Sequence, residues 1–155
     1  MSTGARLRDS IERALPRLRR LSDTEAAIPP AAGKWSPKEV IGHLIDSASN
    51  NHQRFVRAQF TEELTFPGYE QAGWVDVQRY CDAPWDELVT LWQTFNLHLG
   101  RFIEAMPAAM AQKPRSSHNL EQISFHPVPR DQPATLAYFM DDYVSHLEHH
   151  LAQIK

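Results

Sequence analysis

The residues best suited to chemistry are three histidines, two of which, His146 and His150, lie four residues apart near the end of the chain. Residues at i and i+4 share one face of an α-helix, so the two imidazoles can point at one place. With His43 from an earlier amphipathic segment they would form a three-nitrogen ligand set, which leaves positions on a metal ion open for chemistry. The alternative is that the pair are ordinary surface residues. A zinc-protease motif is excluded, because Leu147 stands where that motif requires Glu.

The apolar pattern of the last segment distinguishes this pair from the neighbouring His149. At about 100° per residue the apolar side chains form one stripe, with His146 and His150 beside it and His149 pointing away. The stripe consists of Leu136, Met140, Tyr143, Leu147, Leu151 and Ile154, flanked by Phe139 and Val144. We therefore expect a helix packed into a core, with His149 in solvent.

The segment that carries His43 also has a polar stripe. His43, Ser47, Asn50 and Arg54 fall within about 60° of one another on a helical wheel, far from the centre of the apolar face. One interpretation is the solvated side of a helix. The other is a polar cleft between helices, with His43 as a metal ligand and with Asn50 and Arg54 available for substrate.

The elements that must position these residues are four segments of helical length, separated by proline-marked breaks. They cover about residues 5–21, 36–60, 84–106 and 135 to the end, with a shorter segment at 74–80 and a proline-marked loop at 109–133. Ser36, Pro37 and Glu39 form the clearest helix start, a capping box with proline at the first helical position. Pro16 predicts a kink or an early break in the first segment. The pattern predicts an all-α four-helix bundle in a single domain, residues 1–155.

Composition limits the partners and the compartment. The 155-residue chain has a net charge of −3, which argues against a nucleic-acid partner. Its one concentration of basic residues, six arginines within residues 6–20, is interleaved with an apolar stripe that suits a bundle helix. No stretch approaches the roughly 20 apolar residues that span a bilayer, and no signal peptide is recognisable, so we expect a soluble, cytoplasmic protein without a membrane partner. The single cysteine, Cys81, excludes an internal disulfide. Whether the chain forms a homodimer is left open.

Two motifs together resemble a known family. The first is the run from Trp35 through Phe55, in which Trp-Ser opens a helix and His43, Asp46-Ser, Asn50 and Arg54-Phe follow; the second is the closing His-x-x-x-His helix. In this order and at these separations they resemble the DinB-like superfamily, and specifically its YfiT-like branch of metal-dependent hydrolases and bacillithiol transferases.

The resemblance implies a four-helix bundle that holds one divalent ion per chain, nickel or zinc, on His43, His146 and His150. It also implies a small-molecule substrate. Some family members are thiol transferases that use bacillithiol or mycothiol, so a low-molecular-weight thiol is an expected partner. The departures from the family pattern lie mainly in the loop at 109–133.

Two chemistries remain open at such a site. The metal could activate water for hydrolysis, or it could hold a thiol as thiolate for attack on an electrophile, which the resemblance favours. Arg54 is then expected to bind an anionic group and Asn50 to orient it, while Asp46 or Asp142 would accept a hydrogen bond from a ligand's free ring N–H. A non-catalytic metal-binding or stress-associated bundle is the alternative function.

Overall fold

Four long helices carry the core of the protein, which a computed structural model describes over residues 1–155. They are α1 (Thr3–Arg20), α3 (Pro37–Arg57), α5 (Trp85–Ala105) and α8 (Leu136–Leu151). Four shorter helices lie between them: α2 (Asp23–Ala26), α4 (Gln71–Gln78), α6 (Ala108–Gln112) and α7 (Leu120–Ile123), with single 3₁₀ turns at Ala58–Phe60 and Tyr80–Asp82. The predicted all-α architecture is confirmed. The one short extra helix that was expected is joined by three more, of which α6 and α7 lie in the segment predicted as loop.

Side-chain caps start the helices that later carry the site. The Ser36 hydroxyl accepts from the Glu39 backbone N–H, and the Glu39 carboxylate accepts from the Ser36 N–H, so the predicted capping box is present. The Thr135 side chain accepts from the Tyr138 N–H at the start of α8. Each cap satisfies backbone donors that have no partner within the helix. The caps therefore fix where α3 and α8 begin, and the three histidines project from these two helices.

The early break that was the alternative to a kink at Pro16 does not occur, because α1 continues to Arg20. Proline removes one hydrogen bond of the helix and crowds the preceding turn. On both sides of Pro16, however, α1 presents buried apolar residues to the bundle: Leu7, Ile11, Ala14 and Leu18. Burial of this stripe offsets the local loss.

The order of the helices around the bundle differs from a simple up-and-down arrangement. Helix α1 packs against α5 and α8, and α3 packs against the same two helices. The consecutive long helices α1 and α3 therefore occupy opposite corners, and α3 and α8 become neighbours. An up-and-down bundle would place its second and fourth helices diagonally.

The core is one contiguous cluster of buried apolar side chains contributed by all four long helices. At its centre the Phe55 ring meets Phe139 and Tyr143 edge to face, with ring centroids 5.5 Å and 5.8 Å away. The buried hydroxyl of Tyr143 donates to the side-chain oxygen of Asn96, which ties α8 to α5. None of the helices is both long and apolar enough to cross a membrane.

Gly42 allows the 3₁₀ turn at Tyr80 to approach α3 closely. A Cβ at Gly42 would lie 2.1 Å from the Tyr80 ring, and that ring cannot withdraw without losing the hydrogen bond of its hydroxyl to Asp46. Gly42→Ala is therefore expected to lower the free energy of unfolding by about 1–3 kcal/mol, measured by denaturant titration. The matched control is Gly73→Ala on α4, where a new Cβ meets only ordinary contacts and the helix should gain up to about 1 kcal/mol. Equal effects of the two substitutions would contradict the role of close approach.

Candidate metal centre

Three histidines from two neighbouring helices converge at one point. His43 projects from α3, and His146 and His150 project from successive turns of α8. The Nε2 atoms of His43 and His146 are 3.1 Å apart, and one possible ligand nitrogen from each of the three rings lies within 4.8 Å of the others. His43 is fully buried, and the other two rings are half-buried. The structure thus brings together the three residues that the sequence proposes as ligands.

The charge state of these rings suits metal coordination. Burial, together with the neighbouring His150, lowers the pKa of His43 to about 4. Burial and the surrounding histidines lower the pKa of His146 to about 3, and burial also lowers the pKa of His150. At neutral pH all three imidazoles are therefore uncharged and offer a lone pair. Two nitrogens bound to one tetrahedral ion lie roughly 3.3 Å apart, close to the 3.1 Å between His43 and His146.

Neighbouring side chains contact all three rings. The Nδ1–H of His150 donates to the Gln153 side-chain oxygen at 3.0 Å, which leaves Nε2 of that ring with its lone pair. The Trp35 indole packs against His43 and His150, with centroid distances of 5.0 Å and 6.3 Å. Phe125 packs against His146 at 5.4 Å. His43 Nδ1 is buried and has no hydrogen-bond partner.

A cavity of about 350 Å³ opens beside the cluster. Polar side chains of α3 form one wall, aromatic side chains of α8 form another, and two loop segments cover it. Its lining includes Ser47, Asn51, Arg54, Tyr69, Phe125, Phe139, Asp142, Tyr143, His146 and His150. Of the two interpretations of the polar stripe on α3, the structure supports the cleft: Ser47 and Arg54 are buried here.

The two residues predicted for substrate binding, Arg54 and Asn50, do not both reach the cavity. Arg54 lines the cavity, but Asn50 does not, and the Asn50 amide donates to the Asp46 backbone carbonyl on its own helix. The asparagine in the cavity wall is the next residue, Asn51. Neighbouring side chains on a helix point about 100° apart. When the partner helix is unknown, a helical wheel does not show which of the two directions faces the cavity.

The two carboxylates predicted to support the ligands contact other groups. Asp46 accepts from the hydroxyl of Tyr80 and the amide of Gln78, and its second oxygen is buried without a partner. Asp142 accepts from the Phe125 backbone N–H and from both the backbone and the ring of His126. Neither carboxylate hydrogen-bonds to a histidine of the cluster. The side chain that does so is Gln153, which lies in the turn after α8, three residues beyond His150, and this short separation could have identified it.

The remaining histidines lie outside the cluster. His149 is exposed, as predicted, although its ring touches His150. Trp35, which opens the Trp-Ser motif, and Phe125 also pack on the cluster. The sequence gives no role to either ring in the site, because the position of a single aromatic residue does not indicate which side chain it will contact.

Comparison with known proteins decides the family. Residues 6–154 match the family model of the DinB superfamily. The chain belongs to the DinB superfamily. The resemblance inferred from the sequence motifs is confirmed.

Two individual proteins of related description are similar to this DinB-superfamily chain. The protein named "Putative metal-dependent hydrolase OB0413" from Oceanobacillus iheyensis is 25% identical over 135 residues, which cover 87% of this chain and 71% of that protein. The solved structure of YfiT from Bacillus subtilis, described as a probable metal-dependent hydrolase with an unusual four-helix bundle topology, superposes with a TM-score of 0.78. That match is 20% identical and covers 98% of this chain and 81% of YfiT, so it shows the shared fold.

The burial of Asp46 should make the free energy of unfolding depend on pH. Burial raises the pKa of this carboxyl above its ordinary 3.8, although its hydrogen bonds with Tyr80 and Gln78 act in the opposite direction. The folded state therefore binds the proton more tightly than the unfolded state, so the stabilisation is complete below pH 3.8 and is lost as the pH rises through the raised pKa. We expect the free energy of unfolding of the wild type, relative to Asp46→Asn, to fall over this range.

The measurement is denaturant titration of both proteins across a pH series. Asp76→Asn, which removes an exposed carboxylate of α4, is the matched control for the loss of one charge. A difference between wild type and Asp46→Asn that stays flat from pH about 3 to about 7 would show that the environment of Asp46 does not favour its protonated form.

Proposed function

We propose that this chain is a metal-dependent hydrolase of a small-molecule substrate, with one divalent ion held by His43, His146 and His150. The observation that carries the proposal is the convergence of three uncharged imidazoles, two of which, His146 and His150, line a cavity. The descriptions of the two similar proteins as metal-dependent hydrolases support it. Three neutral nitrogen ligands suit zinc, nickel, cobalt or iron, and of these we propose nickel or zinc.

Such an ion would supply Lewis-acid polarisation of a substrate and activation of water, because three protein ligands leave coordination positions open. The residues of the chain have three tasks around it. The Gln153 oxygen keeps the His150 proton on Nδ1 and so presents Nε2. Trp35 and Phe125 pack on the imidazoles and limit access of water to them. The polar wall of α3 receives the substrate.

Metal content tests the ligand assignment directly. His43→Ala, His146→Ala and His150→Ala should each lose most of the one ion per chain, because two remaining ligands hold a divalent ion weakly. His149→Ala is the matched control, since this exposed neighbour lies on the same helix and should leave metal content unchanged. Elemental analysis of untagged proteins is the measurement. Full occupancy in His43→Ala, or loss of metal in His149→Ala, would contradict the assignment.

Gln153→Ala should produce a smaller effect than the loss of a ligand. It removes the acceptor of the His150 Nδ1–H and leaves all three imidazoles in place, so we expect metal affinity to fall by about 10–100-fold. Competition with a chelator of known affinity measures this change. An affinity equal to that of the wild type would show that Gln153 does not orient the ring.

The bundle is expected to fold without metal. Its apolar core draws on all four long helices and does not depend on the histidine cluster, unlike small zinc modules that require the ion to fold. A chelated sample should keep its helical circular dichroism, and its melting temperature should fall only as far as linkage to metal binding predicts. A random-coil spectrum after chelation would contradict this.

Thiol transfer is the second candidate, and one observation favours it. His150 lines two cavities: the polar one described above, and a groove of about 960 Å³. The groove has a mixed lining that includes Ile28, Pro29, Pro30 and Trp35 as well as Glu25, Lys34 and Lys155. Hydrolysis needs one organic substrate, whereas transfer of a thiol to an electrophile needs two. In that reaction a thiolate sulfur forms a bond to carbon, and the leaving group departs with its electron pair.

The two reactions are separated by their dependence on thiol. Metal-loaded protein would be assayed with model esters and amides, and with chlorodinitrobenzene as electrophile, each with and without bacillithiol. Hydrolysis that is indifferent to thiol supports the hydrolase. Consumption of the electrophile only when both thiol and metal are present supports the transferase. Metal binding without turnover of any of these substrates would favour a non-catalytic metal-binding bundle.

A further inference from the structure

Arg54 is a buried cation whose charge no carboxylate neutralises. The residue is 5% exposed, and it takes part in none of the ion pairs of the protein. Its guanidinium donates to the Asn51 side-chain oxygen at 3.3 Å and to the Pro67 carbonyl at 2.9 Å. A guanidinium carries five N–H donors, so three of them have no acceptor in the protein.

Two other arginines of this chain differ from Arg54 in their pairing or their position. Arg6 pairs with Asp141 and Glu148. Arg115 is also buried and its Nε has no hydrogen-bond partner, but its other nitrogens donate to the Thr61 and Ala58 carbonyls and it does not line the cavity. Burial of an uncompensated charge is unfavourable, and accordingly burial lowers the pKa of Arg54. An anion bound from outside would remove this imbalance.

The guanidinium of Arg54 points along α3 toward the histidine cluster. Side chains on a helix lean toward its N-terminus, and the contact of Arg54 with Asn51, one turn earlier, shows that the guanidinium does so. Ser47 and Asn51 lie between Arg54 and His43 on one face of α3, over about three helical turns. Arg54, His146 and His150 line the same cavity. A molecule held at Arg54 therefore extends toward the histidine cluster.

The chemistry of the cavity selects the kind of anion. Arg54 is the only lysine or arginine in the lining, and the one acidic side chain there, Asp142, is already engaged by His126 and two backbone N–H groups. A single planar guanidinium matches a single carboxylate with two parallel hydrogen bonds. The rings of Tyr69 and Phe139 lie 5.9 Å and 6.0 Å from the guanidinium carbon, and they provide an apolar surface for an organic body.

We propose that Arg54 forms a carboxylate-binding subsite and that the substrate of this protein is a small organic monocarboxylate, with its reactive group directed toward the three histidines. The direction of the reactive group rests on the proposed function, but the subsite itself does not. The cavity volume of about 350 Å³ lies at the lower end of the range for small-molecule sites, which limits the substrate to a compact molecule.

The test uses metal-free wild-type protein and matched pairs of charged and neutral probes. Phenylacetate is compared with phenylacetamide, and butyrate with butyramide, by isothermal titration calorimetry. At least one carboxylate should bind about tenfold or more tightly than its amide, the difference expected when hydrogen bonds to a charged group are lost. Arg54→Gln should abolish this preference. Arg57→Gln, which removes an exposed arginine of the same helix, should preserve it.

Equal binding of acid and amide, no binding of either carboxylate, or tighter binding of inorganic phosphate than of phenylacetate would overturn the proposal. If Arg54→Gln does not fold, Arg54→Lys replaces it: the point charge is kept and the fork is lost, so the preference should shrink without disappearing. Because no metal is present, failure of the carboxylate subsite is distinguishable from failure of the metal site, which elemental analysis of the histidine variants reports separately.

Discussion

The packing of α3 against α8 is the contact on which the site depends. The two helices share the core through Leu44, Phe55, Phe139 and Leu147, and they turn their polar faces toward the same cavity. Because α1 and α3 occupy opposite corners of the bundle, α8 reaches α3 directly. The long connection between α5 and α8, with its two short helices, provides the length that this crossover requires.

Burial has opposite effects on the core and on the site. Apolar residues of the four long helices gain stability when they leave water, but the groups around the cavity lose solvation without full compensation. His43 Nδ1 and one oxygen of Asp46 are buried without a partner, and the Arg54 guanidinium has no counter-ion. Such unsatisfied groups are uncommon in folded proteins. Of these three, Arg54 lines the cavity, and His43 belongs to the histidine cluster beside it. The apolar core provides the stability that offsets the cost of burying these polar groups. The uncharged imidazoles and the unpaired Arg54 cation are the groups that a ligand can contact.

Two loops complete the cavity. The segment after α3 brings the Pro67 carbonyl and the Tyr69 ring to Arg54, and the segment after α7 brings Phe125 to His146. The first loop is linked to α7 through Asn119, which hydrogen-bonds the Phe66 backbone in both directions. The second is attached to α8 where Asp142 accepts the Phe125 and His126 backbone N–H groups. Asp142 thus positions the cavity wall, whereas the sequence suggested that it supports a ligand.

Local chemistry in the sequence determined the helices and their faces. The capping box at Ser36, the apolar stripe of α8 and the i, i+4 spacing of His146 and His150 each depend on residues within one or two turns, so a helical wheel describes them well. The helical wheel also distinguished the exposed His149 from His146 and His150. The tertiary structure decided the facts that depend on two helices at once. It placed Asn51 instead of Asn50 in the cavity wall, Gln153 instead of a carboxylate on His150, and Arg54 in the interior without a counter-ion. The physical reason is that a wheel gives the direction of a side chain relative to its own axis, and only the packing of another helix or loop determines whether that direction leads into water, core or cavity.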